Sequence, residues 1–229
     1  MNIRLSSRLQ KIADFIPTNS RVVDVGTDHA YLPIWLLQNN ICKSAIATDI
    51  NEGPLRNAAK DAAAAGVVAH LQLLLCNGLA MCPSDAVDAI VIAGMGGETI
   101  AEILAASHWA LEKRLLLQPQ SKIFELRAFL RRNGCRIADA ALVRDMGRIY
   151  RVWRVEKGEG DPVGVIEDPL LAERDPLLAD FCAEMIVRLK KQLNGLALAK
   201  DCDDAQRTQW ENELKEYTAV FEEAKTWQQ

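Results

Sequence analysis

Polar side chains occur where buried strands are predicted to end, and their types suggest a ligand site. Asp24 closes an apolar run, and Asp28 and His29 follow within a few residues. Asp49 closes the second apolar run, and Asn77 follows the third. A carboxylate can accept hydrogen bonds from two vicinal hydroxyls, and an amide can bond the edge of a nucleobase. The set therefore favours a nucleoside ligand, and the carboxylates favour one with a positive charge.

The turn after Asp24 contains one glycine, Gly26, followed by Thr27. A turn that wraps phosphates needs several glycines or a Gly-Lys-Ser/Thr ending, so no dinucleotide or P-loop site is predicted. S-adenosylmethionine suits this turn better, because it has a sulfonium, an amino group and no phosphate. An alternative is that Asp24 only ends a strand, that Asp28 only caps the next helix, and that Asn77 only forms an Asn-Gly turn.

These side chains can meet only if the strands before them are parallel neighbours in one sheet. Residues 21–25 are short and β-branched, Gly26 turns the chain, and a helix follows from Leu32. This is the strand–turn–helix order of a nucleotide-binding corner in an open α/β sheet. Further strands are predicted over residues 44–48, 71–76, 86–92 and 114–117, and a hairpin pairs residues 136–145 with 148–155.

Three glycines follow the fourth predicted strand, within residues 94–97 and around Met95. They imply that the backbone approaches a neighbour closely. Gln118 ends the fifth strand, and Pro119 directly after it fixes the exit of the chain. Gln118 offers both a hydrogen-bond donor and an acceptor at the carboxyl edge of the sheet.

A first helix is predicted from a cap at Ser6 or Ser7 to a stop at Pro17. Ile12 and its apolar neighbours form the inner face, and Arg8 lies on the other side. Arg8 can belong to a solvated basic face. It can equally enter the site next to the first strand and contact RNA or a cofactor carboxylate.

Arginines cluster in two later elements, and their positions suggest a nucleic-acid surface. Residues 122–133 form a predicted amphipathic helix with Arg127, Arg131 and Arg132 on its outer side. Arg148 and Arg151 lie near aromatic residues in the second strand of the hairpin, a mixture that favours nucleic acid. A solvated strand face is an equally good interpretation of the hairpin arginines.

The composition is that of an ordinary globular protein, with 49% hydrophobic and 25% charged residues. No apolar run reaches the ~20 residues needed to span a bilayer, and the first residues lack the apolar core of a signal peptide. We therefore expect a cytoplasmic protein with no membrane partner. The six cysteines form no C-x-x-C pair and the three histidines are scattered, so we expect reduced structural thiols and no metal.

The charge differs between the two parts of the chain. The first 157 residues contain 19 Lys and Arg against 15 Asp and Glu, whereas the remainder contains 8 against 16. Residues 158–162 are predicted to be a linker. Beyond them, apolar residues step by four and three over residues 178–196 and 210–224, which predicts an antiparallel coiled-coil hairpin joined through residues 200–204. The predicted domains are residues 1–157 and 158–229.

Four motifs in this order resemble the bacterial TrmK-type family of tRNA (adenine(22)-N(1))-methyltransferases. They are residues 24–33 (DVGTDHAYLP), 77–79 (NGL), 92–97 (IAGMGG) and 117–119 (LQP). Each motif alone is modest, and the four together are specific. The resemblance covers nearly the whole chain and implies a Rossmann-like class I methyltransferase fold with seven strands and a C-terminal helical hairpin.

The resemblance also implies S-adenosylmethionine as the cofactor and an adenine in tRNA as the acceptor. Asp24, Gly26, Asp28 and His29 would line the methionine end, Asp49 would hold the ribose, Asn77 and Gly78 would face the adenine, and Gly94, Met95 and Gly96 would form the wall near the methyl group. Enzymes that methylate exocyclic amines commonly carry Asn/Asp-Pro-Pro-aromatic after the fourth strand. This chain lacks that motif, which fits a ring nitrogen as the methyl acceptor. The adenine that carries this nitrogen must leave its stack to be methylated.

No catalytic side chain has to remove a proton before the attack, because N1 of adenine already has a lone pair. Catalysis would be mostly alignment of donor and acceptor. Asp28 is expected to stabilise the charge of the cationic product, and His29 and Gln118 are expected to orient the base. The alternatives are a methyltransferase with another acceptor and a non-catalytic RNA-binding scaffold; the acids of the corner argue against the scaffold.

Overall fold

The computed structural model describes residues 3–159, 164–197 and 204–227. The strands are β1 (Ser20–Val25), β2 (Cys42–Asp49), β3 (Leu71–Leu75), β4 (Ala89–Met95), β5 (Arg114–Pro119), β6 (Cys135–Asp145) and β7 (Arg148–Lys157). The helices are α1 (Ser7–Asp14), α2 (Tyr31–Gln38), α3 (Glu52–Ala65), α4 (Gly97–Ala106), α5 (Ile123–Arg132), α6 (Asp168–Ala172), α7 (Leu178–Ala197) and α8 (Asp204–Thr226). The chain divides into two compact units, Met1–Gly160 and Asp161–Gln229, whereas the sequence predicts a division after residue 157.

The first unit is built on one seven-stranded sheet in the order β3-β2-β1-β4-β5-β7-β6. β1 to β5 are parallel, and β7 runs antiparallel to both β5 and β6. The central strands read as continuous apolar runs because helices cover both faces of such a sheet. Residues 90–92 and 115–117 are accordingly fully buried. The predicted seven-stranded α/β fold is confirmed.

The order of the strands reverses at β1, which lies between β2 and β4. In open α/β sheets the crevice beyond the carboxyl ends of the strands at such a reversal is where ligands bind. The turn that follows Val25 opens into this crevice. The topology therefore brings together the ends of the strands that the sequence analysis selected.

The fourth strand is shifted from its predicted position. It begins at Ala89 rather than at residue 86, because residues 84–86 form a turn of 3₁₀ helix. It continues past the predicted end at residue 92, and a bulge lies between Ala93 and Met95. Gly94 has φ +80°, a left-handed conformation that glycine adopts without steric cost. The glycines therefore begin within the strand rather than after it.

Helix α1 begins as predicted, with Ser6 as its N-cap. The side chain of Ser6 accepts a hydrogen bond from the backbone N–H of Leu9 at 3.5 Å. Ile12 and Ala13 are buried in the core. This face fixes the helix against the sheet, which determines where Arg8 on its first turn can reach.

The second unit contains α6, α7 and α8. The predicted seams are confirmed, because Leu178, Cys182 and Leu189 of α7 and Tyr217 of α8 are buried. Helix α6 is a five-residue element that the sequence analysis did not predict. Of the predicted connection at residues 200–204, only the last residue, at the start of α8, belongs to the described part, and residues 160–162 of the predicted linker lie outside it.

No helix in residues 3–159, 164–197 or 204–227 is long and apolar enough to cross a membrane. The same ranges hold no group of three or more His, Cys, Asp or Glu residues that could bind a metal ion. Five of the six cysteines are described and are free thiols; Cys202 lies outside the described residues. Burial raises the pKa of Cys42 to about 11 and that of Cys82 to about 12, so these thiols are protonated and unreactive.

Candidate functional site

The corner after β1 is tied to the ends of two neighbouring strands. The backbone N–H groups of Gly26 and Thr27 donate to the carbonyl oxygen of Thr48 at 2.8 and 3.0 Å. The hydroxyl of Thr48 donates in turn to the carbonyl oxygen of Gly78 at 2.9 Å. Thr48 is fully buried, so it links the exits of β1, β2 and β3. The sequence analysis missed Thr48, although its place just before Asp49 was a signal for it.

Asp24 is the partly buried residue just before the end of β1. The hydroxyl of Thr27 donates to Oδ2 of Asp24 at 2.7 Å. Burial raises the pKa of Asp24 to about 6, while this hydrogen bond and the charge of Arg8 act in the opposite direction. A carboxyl group held so far above its ordinary pKa is poised to gain from a cationic ligand.

Asp28 does not cap the following helix, so that alternative is excluded. The residue at the N-cap is Ala30, in the left-handed conformation, and no side chain caps the helix. The side chain of Asp28 is 83% exposed and lies 3.8 Å from Nε2 of His29. The corner therefore presents an exposed carboxylate beside His29 to solvent.

His29 is held by two neighbours. Its Nδ1 lies 3.1 Å from Oδ2 of Asp61, and because a carboxylate accepts, this contact places a proton on Nδ1. The ring of Tyr31 stacks on the imidazole with centroids 5.0 Å apart and planes 14° apart. The sequence analysis missed both neighbours. They fix the orientation of the imidazole at the rim of the corner.

Gln118 is fully buried rather than facing an acceptor. Its Oε1 accepts from Nη1 of Arg8 at 2.7 Å and from the backbone N–H of Gly94 at 3.1 Å. Its amide nitrogen donates to the carbonyl oxygen of Pro119 at 3.3 Å. The prediction that Gln118 orients the acceptor base is therefore wrong. Gln118 positions Arg8 and the bulge of β4.

Arg8 reaches Gln118 at the carboxyl end of β5 rather than lying on a fully solvated face, and its contact with RNA or a cofactor carboxylate stays a prediction. Besides its bond to Gln118, its guanidinium lies 5.6 Å from the centroid of the Tyr150 ring. Its backbone N–H donates to Oδ2 of Asp145 at 3.3 Å. Helix α1 thus connects the corner to the β6–β7 hairpin.

Some of the glycines allow the backbone to approach another part of the protein rather than a ligand. The backbone N–H of Gly97 donates to the carbonyl oxygen of Ser121 at 2.8 Å. A Cβ on Gly97 would overlap the backbone oxygen of Lys122. A Cβ on Gly26 would overlap the terminal methyl of Met95. Met95 is therefore brought next to the corner, while Gly97 is needed for packing.

The remaining predicted cofactor residues lie at the ends of β2 and β3. Oδ1 of Asp49 accepts from the backbone N–H of Asn51 at 2.8 Å, which holds the carboxylate at the strand end. Asn77 is exposed. Gly78 has φ +58°, and a Cβ there would lie 2.9 Å from Cγ2 of Ile103. This turn is thus shaped by glycine and open beside Asn77.

The predicted RNA-binding arginines divide into two groups. Arg131, Arg132 and Arg148 are exposed and Arg127 is partly buried, so these four keep their assignment as predictions. Arg151 is only 4% exposed, and its predicted contact with RNA is wrong. Arg151 lies in the middle of β7 next to Val152 and Trp153, which are fully buried.

Comparisons with known proteins match this architecture. The sequence model of the methyltransferase domain family matches residues 5–153. The tRNA (adenine(22)-N(1))-methyltransferase of Bacillus subtilis is 32% identical over 209 residues, which are 90% of this chain and 84% of that protein.

Solved structures show the same similarity. The crystal structure of the B. subtilis m1A22 tRNA methyltransferase TrmK has a TM-score of 0.78 at 28% identity and covers 98% of this chain and 99% of its own. A Streptococcus pneumoniae protein solved in complex with S-adenosyl-L-methionine has a TM-score of 0.79 at 32% identity and covers 95% of this chain and 100% of its own. The similarity therefore includes both units.

Proposed function

Because this chain belongs to the family of the tRNA (adenine(22)-N(1))-methyltransferases, we propose that it transfers the methyl group of S-adenosylmethionine to N1 of adenine 22 in tRNA. The observation that supports tRNA adenine as the acceptor is the extent of the match, which covers 90% of this chain and 84% of the B. subtilis enzyme. A likeness limited to the catalytic domain would support only the cofactor. Because the proposed substrate is tRNA, we also propose that the enzyme works in the cytoplasm.

The cofactor supplies an electrophilic methyl group on a sulfonium. The donor set of the corner fits its amino-acid end, because Asp24 offers a carboxylate to an ammonium and Arg8 offers a guanidinium to a carboxylate. The carboxyl group of Asp24 and the guanidinium of Arg8 belong to the same site, because the positive charge of Arg8 acts to lower the pKa of Asp24. We assign the ribose to Asp49, whose position at the end of β2 suits two hydroxyls. Asn77 would then meet the adenine.

The acceptor side requires alignment more than proton transfer. N1 of adenine attacks with its own lone pair, so no side chain has to remove a proton first. The bulge at Gly94, held by Gln118, sets the wall beside the transferred methyl group. Product formation leaves a positive charge on the base, and the exposed carboxylate of Asp28 is placed to stabilise it.

Replacing Asp28 with asparagine is expected to lower kcat by roughly tenfold to a hundredfold, because the developing cation loses a charge partner. The affinity for S-adenosylhomocysteine should change much less than kcat, because Asp24 and Arg8 are proposed to hold its amino-acid end. Single-turnover methylation of tRNA and calorimetric titration measure the two effects. The exposed Asp168, in the second unit, provides an Asp168→Asn control that should keep full activity. An Asp28→Asn enzyme with unimpaired kcat would remove Asp28 from the mechanism.

We propose that the arginines of the first unit carry most of the affinity for tRNA. The acidic balance of residues 158–229 is unfavourable for a phosphate-binding surface. Reversing Arg131 and Arg132 together to glutamate should weaken tRNA binding at least about tenfold at low salt and flatten the salt dependence. Filter binding at several salt concentrations measures both quantities.

The matched control reverses Lys190 and Lys191, an adjacent exposed pair on α7. It makes the same change in net charge and should leave binding near the wild-type value. If both double variants bind equally well, α5 is not part of the tRNA surface.

The reaction itself is tested by incubating the protein with unmodified tRNA and methyl-labelled S-adenosylmethionine. Digestion to nucleosides should yield labelled 1-methyladenosine, and a tRNA with another base at position 22 should take up no label. Cofactor binding without transfer to tRNA would point to another acceptor. A failure to bind the cofactor would leave the scaffold alternative.

A further inference from the structure

The β6–β7 hairpin extends beyond the sheet at the edge where the site lies. β7 runs antiparallel to β5, and the pair formed by Leu117 and Trp153 is the one nearest the carboxyl end of β5. Arg148 starts β7 five residues before Trp153, so β7 continues about 16 Å past this pair at the usual rise of an antiparallel strand. The tip of the hairpin, residues 144–148, therefore projects past the carboxyl edge.

An apolar side chain stands at this tip. Met146 is 96% exposed, and it turns the chain with φ +46°, followed by Gly147 with φ +78°. Two-residue turns with positive φ at both positions favour Asn-Gly, Asp-Gly and Gly-Gly. Methionine is therefore an unusual choice for this turn. The flanking residues Arg144 and Arg148 are exposed.

The hairpin is anchored to the site at its tip and just beside it. Arg8 contacts the ring of Tyr150 with its guanidinium and the side chain of Asp145 with its backbone N–H. The same guanidinium binds Gln118, which holds Gly94. The exposed tip thus has a fixed relation to the wall of the site.

The proposed reaction creates a need for such a tip. N1 lies on the pairing edge of adenine, so the base must leave its stack and its partner before it can be methylated. Proteins that open a nucleic-acid stack often insert an apolar side chain, methionine among them, into the gap. Methionine is flexible and polarizable, and it adapts to irregular surfaces.

Resting on the proposed function, we propose that the tip of the β6–β7 hairpin is a wedge for the tRNA substrate. Met146 fills the space that the target adenine leaves in the stack. Arg144 and Arg148 contact the phosphates on either side. The wedge holds the open state of the RNA while the adenine is in the site.

The test replaces the target adenine with 2-aminopurine, whose fluorescence rises when the base leaves its stack. Wild-type protein with bound S-adenosylhomocysteine should raise the fluorescence. Met146→Asn suits the turn conformation and removes the apolar side chain, so it should lose most of this rise and lower kcat/KM for tRNA roughly tenfold. Met146→Leu should retain most of both.

The matched control is Val68→Asn, at an exposed apolar residue just before β3, at the opposite edge of the sheet. It should behave as the wild type. A wild-type protein that methylates no tRNA contradicts the proposed function. If the wild type methylates tRNA and Met146→Asn matches it in kcat/KM and fluorescence, or only binds tRNA more weakly with the fluorescence rise intact, the wedge is wrong while the function stands.

Discussion

Replacing Asp24 with asparagine is expected to weaken cofactor binding roughly a hundredfold and, at the same time, to make the protein more stable at neutral pH. The carboxylate is proposed to bind the amino group of the cofactor, and a neutral amide cannot replace its charge. Asparagine nevertheless retains an oxygen that accepts from Thr27. The free enzyme therefore loses a costly, partly buried charge and keeps the hydrogen bond.

The sign of the stability change follows from the pKa of Asp24. Burial raises this pKa from 3.8 to about 6, so between these values the folded state binds more protons than the unfolded state. The free energy of unfolding then decreases as the pH rises through this window. Above pH 6 the ionised group costs stability, and Asp24→Asn should recover roughly 2 kcal/mol. Below pH 4 the substitution should leave the free energy of unfolding unchanged.

Thermal unfolding at pH 4 and pH 8, together with calorimetric titration of S-adenosylhomocysteine, measures both effects. Asp88 provides a control of opposite sign, because its hydrogen bonds with Arg21 hold its pKa at about 2. Asp88→Asn should lower the melting temperature at pH 8 and leave cofactor affinity unchanged. An Asp24→Asn protein that binds the cofactor as tightly as wild type would remove Asp24 from the site.

Cofactor affinity of the wild type should also depend on pH through this residue. Protonation of Asp24 below pH 6 removes the charge that the cofactor amino group needs. We expect the dissociation constant to rise by up to about tenfold per pH unit below this value.

The second large effect is expected at Gly97, where alanine should destabilise the protein by about 3 kcal/mol. The added methyl group would overlap the backbone oxygen of Lys122 and press on that of Ser121. Backbone atoms cannot rotate away as the end of a side chain can. The start of α4 would have to move from the loop after β5, and the bulge at Gly94 would move with it.

Gly195→Ala is the matched control, because nothing beyond its chain neighbours and its own helix backbone lies within 4 Å of the added methyl group and the residue is in α7. Alanine there should be neutral or stabilising by up to about 1 kcal/mol. Calorimetry should show a melting temperature roughly 10 °C lower for Gly97→Ala. Equal melting temperatures for the two variants would show that the approach at Gly97 is not tight.

What the sequence predicted well was local in origin. The strand, the turn at Gly26 and the helix after it follow in the predicted order, and the residue types of that short segment indicate this order by themselves. The heptad pattern that predicted the burial of Cys182 and Tyr217 is equally local. Both depend on periodicity and turn chemistry, which a single sequence records directly.

The errors arose where distant parts of the chain meet. Gln118 appeared available for an acceptor because its partner Arg8 lies 110 residues earlier in the chain. Arg151 appeared to be on a surface because the order of the last strands was not known. Helix α1 packs against β7 and residues 151–153 are buried, and no local pattern indicates this burial.

The position of β7 between β5 and β6 also has a consequence for synthesis on the ribosome. β6 emerges before β7 but cannot join the sheet until β7 is available to bridge it to β5. Until residue 157 leaves the exit tunnel, β5 is an open edge of apolar residues, which invites pairing with other chains. A nascent chain paused in this interval should be the form that most needs a chaperone, and the exposure ends when residues 153–155 pair with β5.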